Sequence, residues 1–337
     1  MKKTLILGGK DKHYEVIDFL KGFSITTIVI MHLMQDNITL LPRILHIVSS
    51  IGGTGVHVFI FCSGFGLYLS HLHKPKSYFS FLLARMNKLY IPYILVVFIA
   101  FLIPVTYTGE NRVIALLSHI FLFKMFVPEF EGSFCGQLWF MSTIIQFYLV
   151  FIPLCSLKKA LKKTSNFMAV TLFISVCYWI MLLLINKTDI RVWSSFFLQY
   201  LWEFCFGMVC AEKFFKGEKI NLSHSLLLVI SVVGIGCQAF MALSSGVLKV
   251  FNDIPALFGY GSLALLIYSV GFMNKIILFL SKFSYEWYLT HMLIFTLIYL
   301  LAPSTLAGQV ILGIFALILS VFIALGYQKL LKKFLKK

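Results

Sequence analysis

The sequence predicts an all-α polytopic membrane protein. Hydrophobic residues make up 60% of the 337 positions and charged residues only 12%, and the mean hydropathy is +0.92. Apolar runs of about 20 residues, the length of helix that crosses a bilayer, recur along the chain. The largest hydrophilic stretch, 212–223, is too short for a soluble catalytic domain. We therefore expect one transmembrane domain over 1–337, whose spans and short loops carry any chemistry.

Ten apolar runs have the length and composition of membrane spans. They cover residues 14–35, 44–71, 79–104, 138–157, 166–186, 192–212, 224–243, 254–273, 283–301 and 308–330. An eleventh run, 113–127, is shorter and contains His119 and Lys124. Whether this run crosses the membrane decides the side on which every later loop lies.

The basic residues indicate that the run 113–127 does not cross. With ten spans and both termini in the cytoplasm, most of the 29 lysines and arginines fall on the cytoplasmic side, as the positive-inside rule requires. An eleventh crossing would move Lys158–Lys163 and most later clusters outside. We therefore expect 113–127 to be re-entrant or to lie on the outer surface. The net charge of +16 then reflects topology, and a nucleic-acid partner is not expected.

The seven cysteines indicate neither disulfides nor a metal. Most lie inside apolar runs, and none forms a C-x-x-C pair. They are typical of small hydrophobic side chains in membrane helices. We therefore expect no metal cofactor.

The first span carries two ionisable residues, Lys21 and His32, eleven positions apart. This separation returns the side chains to one helical face, roughly 16 Å apart along the axis. An ionisable group within a bilayer is energetically costly and is usually functional. The alternatives are a lysine that reaches the interface beside Asp18 and a histidine that only bonds a neighbouring helix.

The next two spans contain a second histidine and a cationic pair. His57 lies at a depth comparable with His32, so the two histidines could share a site; Ser63 and its neighbour Gly64 also permit close helix packing. Arg85 and Lys88 lie on one face at the cytoplasmic edge of the third span. They could bind the phosphates of a cytosolic ligand, or simply anchor the helix at lipid headgroups.

Later spans add further polar candidates. Trp139, Ser142 and Gln146 form a stripe at i, i+3 and i+7, followed by Tyr148; Trp139 also fits the aromatic belt of a membrane interface.

Gln199 and Glu203 are spaced i,i+4 in the span 192–212, where a carboxyl must be protonated, paired or functional. In the ninth span, His291 shares a helical face with Ser284 and Tyr288, and a role in packing alone is equally compatible with the pattern.

Five of these stretches together resemble motifs of the integral-membrane acyltransferase 3 family, whose members O-acylate bacterial surface sugars and related acceptors. They follow the family's order over nearly the whole chain. The stretches are Asp18-x-Leu20-Lys21-Gly22 with His32, Gly55-Val56-His57 through Ser63-Gly64-Phe65, Arg85-x-x-Lys88-Leu89-Tyr90-Ile91-Pro92-Tyr93, Leu138-Trp139-Phe140-x-Ser142 through Gln146-Phe147-Tyr148, and Ser284-Tyr285 through Tyr288-Leu289-x-His291.

The sequence departs from the family pattern at several positions. His57 stands where the family usually has aspartate, and Lys88 replaces the second arginine of an Arg-x-x-Arg motif. Ile144 and Ile145 occupy positions that are glutamate in many members. These differences place the chain in a divergent branch.

The resemblance implies an O-acyltransferase of the bacterial cytoplasmic membrane that uses cytosolic acyl-CoA, most commonly acetyl-CoA. The acceptor would be a hydroxyl of a surface sugar, polysaccharide or glycolipid precursor. Arg85 and Lys88 would bind the donor phosphates, His32 would be the general base, and Lys21 would orient the donor or stabilise negative charge. The remaining candidates would support the site or bind the acceptor: His57, Ser63, Trp139, Ser142, Gln146, Tyr148, Glu203 and His291.

Some alternatives stay open at the level of sequence. His32 could itself carry the acyl group as a covalent relay. The same polar residues could form the pathway of a transporter or flippase for a lipid-linked or anionic solute, although no pair of broken spans in matching halves is visible. A homo-oligomer is compatible with the sequence.

Overall fold

The computed structural model describes residues 4–8, 14–244, 248 and 250–334, and it is 79% helical. The α-helices are α1 Glu15–His32, α2 Arg43–Ser50, α3 Gly55–His73, α4 Tyr78–Arg85, α5 Ile91–Leu102, α6 Arg112–Ile120, α7 Trp139–Ala160, α8 Thr164–Leu184, α9 Arg191–Ser194, α10 Leu201–Phe215, α11 His224–Leu243, α12 Asp253–Val270, α13 Asn274–Ser281, α14 Ser284–Ile298 and α15 Leu306–Phe334. Two π-helical turns, Leu33–Asn37 and Met86–Tyr90, directly follow α1 and α4.

Within the described ranges, eight helical stretches are long and apolar enough to cross a membrane. They are Glu15–Asn37, Arg43–His73, Tyr78–Leu102, Gly136–Ala160, Thr164–Leu184, His224–Met241, Asp253–Val270 and Leu306–Phe334. The predicted all-α polytopic membrane fold is therefore confirmed. The other two predicted spans contain the shorter helices α10 and α14, of 15 residues each, and the count of ten stays a prediction.

The segment expected not to cross is broken into short pieces. Helix α6 has nine residues, which span roughly 14 Å and fall well short of the hydrocarbon core. Two 3₁₀ turns, Lys124–Phe126 and Pro128–Phe130, follow it.

Buried hydrogen bonds hold this segment together. The Nζ atom of Lys124 donates to the backbone oxygens of Ser133 (3.0 Å) and Cys135 (3.5 Å). Because the Ser133 hydroxyl donates to the Phe130 carbonyl, it accepts from Nε2 of His119 at 2.9 Å. Nδ1 of His119 then accepts from the Tyr93 hydroxyl at 2.6 Å. Burial lowers the pKa of His119, which agrees with this neutral ring.

A two-stranded antiparallel sheet was not predicted from the sequence. Strand β1, Thr4–Gly8, pairs with β2, Lys219–Ser223. Paired strands lie on one side of a membrane, so an even number of crossings separates them. Five of the eight long helices lie between the strands. The pairing therefore favours α10 as a sixth crossing.

The chain forms two compact units. The first contains Met1–Ser24, Thr54–Phe81 and Thr143–Ser281, and the second contains Ile25–Gly53, Leu82–Ser142 and Lys282–Lys337. The assignment of the whole chain to a single domain stays a prediction.

Glycines allow close helix crossings in the first unit. Helix α3 packs against α10, and α11 packs against α12. A Cβ atom at Gly64 would overlap the backbone oxygen of Phe204, and one at Gly207 would overlap that of Phe61. Gly234 and Gly259 meet in the same way between α11 and α12. The backbones approach this closely because no side chain separates them.

In the second unit, helix α14 packs against α15 and α5. The indole nitrogen of Trp287 donates to the Ser320 hydroxyl at 2.9 Å. The Tyr327 hydroxyl donates to the backbone oxygen of Pro92 at 2.6 Å, which ties α15 to the start of α5. These bonds fix α14, which carries His291.

The crossing at Gly64 predicts a large effect from one methyl group. Gly64→Ala should lower stability by roughly 2–3 kcal/mol, because the added atom meets rigid backbone. Gly66→Ala, two positions along the same helix, is the matched control because its Cβ would meet open space. Thermal unfolding in detergent measures both. Equal unfolding temperatures for the two variants would contradict the close α3–α10 packing.

Buried Lys124 should make stability depend on pH. Burial lowers its pKa from the ordinary 10.5 to about 7. Between these values the unfolded chain binds a proton that the folded protein does not. The free energy of unfolding therefore increases with pH, by up to about 1.4 kcal/mol per unit.

We expect the unfolding temperature to rise between pH 7 and about pH 9 more steeply in the wild type than in Lys124→Met, since only the wild type has this titration. Lys76→Met, which changes an exposed lysine, should keep the wild-type slope. Parallel curves for all three proteins would show that Lys124 titrates normally.

Candidate active site

His32 lies where α1 changes from α-helix to a π-helical turn. It is the last α-helical residue, and the side-chain amide of Asn37 donates to its backbone oxygen at 3.1 Å. Its Nδ1 atom lies 2.9 Å from Nε2 of His291, and the two rings are nearly parallel, at 16°. His291 is fully buried. We refer to His32 and His291 as the histidine pair.

The hydrogen bonds assign the protons of the histidine pair. The backbone oxygen of Trp287 can only accept, so Nδ1 of His291 carries a proton and donates it at 2.8 Å. Nε2 of a neutral His291 is then an acceptor, and Nδ1 of His32 donates to it. The neutral His32 ring therefore has its lone pair on Nε2, the atom able to take up a proton.

Tyrosines connect the helix of His291 to two neighbouring segments of the same unit. The Tyr285 hydroxyl donates to the backbone oxygen of Leu89 at 2.6 Å. The Tyr288 hydroxyl donates to that of Gln137 at 2.8 Å. Helix α14 is therefore hydrogen-bonded to the turn that contains Lys88 and to Gln137, which lies two residues before the start of α7.

Arg85 and Lys88 flank the second π-helical boundary. Arg85 is the last residue of α4 and is half-buried, whereas Lys88 lies in the turn Met86–Tyr90 and is exposed. Because a π-helical turn is wider than an α-helical one, the angle between the two side chains about the helix axis differs from the value expected for an α-helix.

Lys21 pairs with Asp18, its i,i+3 neighbour, at 3.4 Å. Both side chains are about one-third exposed, at 33% and 31%. This is the local charge neutralisation that the sequence left open. Helix α1 is continuous from Lys21 to His32. Eleven residues correspond to a rise of roughly 16 Å along the helix axis.

The first unit contains a buried group of ionisable side chains. Nδ1 of His57 lies 2.7 Å from Oε1 of Glu203 and 4.0 Å from Oδ1 of Asp253. The side-chain exposures are 14% for His57, 0% for Glu203 and 7% for Asp253. We call these three residues the carboxylate cluster. The structure thus supplies the partner that an intramembrane carboxyl requires.

The carboxylate cluster extends to Gln199, whose amide nitrogen donates to Oδ2 of Asp253 at 2.7 Å and to the Val250 backbone oxygen at 3.1 Å. Sequence reasoning noted the spacing of Gln199 and Glu203 but missed Asp253. An acidic residue at the first position of an apolar helix is the only sequence signal for it, and that position is also common at ordinary helix starts.

Other candidates have structural partners. Oε1 of Gln146 accepts from the backbone N–H of Phe197 at 3.2 Å. The Ser63 hydroxyl donates to the Phe59 backbone oxygen at 2.8 Å within its own helix.

Of the remaining residues on α7, Ser142 is buried and the Trp139 ring packs against Phe140. Tyr148, also buried, packs against Phe81.

Comparison with known proteins identifies the class. The protein-family model for an acyltransferase domain, that of the acyltransferase 3 family, matches residues 14–325. With its membrane-spanning helices, the chain is a membrane acyltransferase. It belongs to the acyltransferase 3 family, as the sequence motifs predicted. No curated protein and no solved structure matches it. Family membership favours an enzyme over the transporter alternative.

Proposed function

We propose that this protein transfers an acyl group, most commonly acetyl, from cytosolic acyl-CoA to a hydroxyl of a surface sugar, polysaccharide or glycolipid precursor. His32 acts as the general base. The observation that carries this proposal is the 2.9 Å contact between Nδ1 of His32 and Nε2 of His291, within a chain of the acyltransferase 3 family. The contact directs the basic atom of His32, Nε2, away from its partner ring.

The transfer step uses this proton arrangement. Nε2 of His32 removes the proton from the acceptor hydroxyl while the oxygen attacks the thioester carbonyl. A carbon–oxygen bond forms and the carbon–sulfur bond breaks. The imidazolium then returns its proton to the departing CoA thiolate, so the products are the ester and CoA thiol. His291 is a positioning residue that fixes the ring and the tautomer of His32.

The proposed donor path begins at the cytoplasmic edge of the second unit. Arg85 and Lys88 would form charge-assisted hydrogen bonds with the CoA phosphates. Lys21 would orient the donor or stabilise the charge that develops on the thioester oxygen. The hydrogen bond from Tyr285 to Leu89 supports this role because it fixes the turn containing Lys88.

The proposed setting is a bacterial cytoplasmic membrane, with acyl-CoA, a carbohydrate acceptor and the lipid bilayer as partners. The other polar residues of the spans are proposed to support the site or to bind the acceptor: His57, Ser63, Trp139, Ser142, Gln146, Tyr148 and Glu203.

His32→Ala should abolish turnover while leaving donor binding largely intact, because only the base is removed. Turnover is measured as the release of free CoA thiol when purified protein is mixed with acetyl-CoA and a soluble glycoside as acceptor. Donor binding is measured separately, by calorimetry with acetyl-CoA. His73→Ala, which changes an exposed histidine at the end of α3, is the matched control. If His32→Ala turned over acetyl-CoA at the wild-type rate, His32 would not be the general base.

The positioning role of His291 is tested by comparing two replacements. A glutamine can still accept a hydrogen bond from Nδ1 of His32, whereas a phenylalanine cannot. His291→Phe should lower kcat with little change in the KM for acetyl-CoA, and His291→Gln should restore part of the loss. Equal kcat values in these two variants would indicate that His291 serves packing alone.

Arg85→Ala combined with Lys88→Ala should raise the KM for acetyl-CoA by roughly tenfold or more, since hydrogen bonds to charged groups contribute about 1.5–3 kcal/mol each. The wild type should prefer acetyl-CoA to acetyl-dephospho-CoA, and the double variant should lose much of that preference. Steady-state kinetics with both donors measures the effect.

Lys74→Ala with Lys76→Ala is the control, because it removes two exposed cations from the loop before α4. An equal rise in KM in this control would indicate a general electrostatic effect. An unchanged donor KM in the Arg85 and Lys88 variant would exclude the proposed phosphate contacts.

A further inference from the structure

The carboxylate cluster brings together three side chains of the types that bind metal ions. His57 lies on α3, Glu203 on α10 and Asp253 at the start of α12. One ligand atom from each residue lies within 4.8 Å of the others. In sequence, His57 and Glu203 are 146 positions apart, and Glu203 and Asp253 are 50 apart. No local sequence motif therefore indicates that the three residues meet.

Charge is the first argument that the carboxylate cluster holds a cation. Glu203 and Asp253 carry two negative charges when ionised, and among the described residues their ion pairs involve only His57. A buried carboxylate without a compensating cation is costly. A neutral His57, two carboxylates and one divalent cation together have zero net charge.

Unused hydrogen-bonding capacity is a second and independent argument. Oε2 of Glu203 is buried and has no hydrogen-bond partner among the described residues. In the same region, Oε1 of Gln199 is also buried without one. Buried polar atoms without a hydrogen-bond partner are rare in folded proteins, and a bound ion that contacts them is one explanation. Both oxygens are hard donors that suit a divalent cation.

We infer that the carboxylate cluster binds a divalent transition-metal ion of the Zn²⁺ or Mn²⁺ type. An imidazole nitrogen combined with carboxylate oxygens favours these ions over Mg²⁺ or Ca²⁺, which prefer oxygen ligands alone. Metal–ligand bonds near 2.1 Å place the ligands of a tetrahedral site roughly 3.4 Å apart. The Asp253 contact at 4.0 Å would shorten, and the 2.7 Å contact of His57 with Glu203 would lengthen.

The surroundings of the carboxylate cluster suit an ion. The amide of Gln199 holds Oδ2 of Asp253, leaving Oδ1 toward His57. Hydrogen bonds of this kind orient metal ligands and influence affinity. Binding displaces the proton shared by Nδ1 of His57 and Oε1 of Glu203. The ion links α3, α10 and α12 within the first unit and is a structural cation, so His57 and Glu203 have a supporting role and take no part in the proposed acyl-transfer step.

The test is metal binding by the full-length protein purified in detergent and treated with a chelator. Zn²⁺ is added, excess is removed by gel filtration, and bound metal is measured by mass spectrometry. We expect about one equivalent more Zn²⁺ in the wild type than in Glu203→Gln or Asp253→Asn. The unfolding temperature should rise with Zn²⁺ in the wild type only. Mg²⁺ at the same concentration should give neither effect.

Matched variants separate the carboxylate cluster from surface binding. Glu218→Gln and His73→Gln change exposed residues and should bind Zn²⁺ like the wild type, whereas His57→Gln should not. Gln199→Leu should weaken binding roughly tenfold or more. If a variant of the carboxylate cluster fails to fold, the wild type still tests the inference. Monodisperse wild-type protein without tightly bound Zn²⁺ overturns it. Equal Zn²⁺ in all variants shows adventitious surface binding only and also overturns it.

Discussion

The absence of water in the hydrocarbon core is the constraint on which this structure depends. A polar side chain there must find its partner inside the protein, because lipid offers none. The histidine pair, the contact of His57 with Glu203 and the bond from the Phe197 backbone to Gln146 each satisfy this requirement. Within the second unit, the same requirement accounts for the contact between His32 and His291 in the candidate site.

Departures from regular helix occur next to two residues with roles in the proposed transfer, the base His32 and the donor-binding Arg85. A π-helical turn directly follows His32, and another directly follows Arg85. Such turns cost regular hydrogen bonding and are frequently found at functional sites. At the first, Asn37 bonds to the His32 backbone oxygen; at the second, Tyr285 bonds to the Leu89 backbone oxygen. Side chains therefore stabilise both irregular turns.

The polar residues that form the histidine pair, and two of the three in the carboxylate cluster, could be singled out from the sequence because they stand out against an apolar background. His32, His57, Glu203 and His291 were each identified as ionisable groups inside hydrophobic runs. Their partners were not predictable, since His32 and His291 are 259 positions apart and His57 and Glu203 are 146 apart. Asp253 was not predicted because acidic residues are common at helix starts, where they interact favourably with the helix dipole. Periodicity describes one helix at a time and carries no information about which helices meet.

The sequence by itself determined the membrane fold, most spans and the family, because burial in lipid requires long apolar helices and motif residues keep their local spacing. It also indicated that the segment 113–127 does not cross. Tertiary structure alone decided the β1–β2 pairing, the proton arrangement of the histidine pair and the assembly of the carboxylate cluster. These features depend on hydrogen bonds and packing between distant segments, whose geometry is set only when the helices pack together.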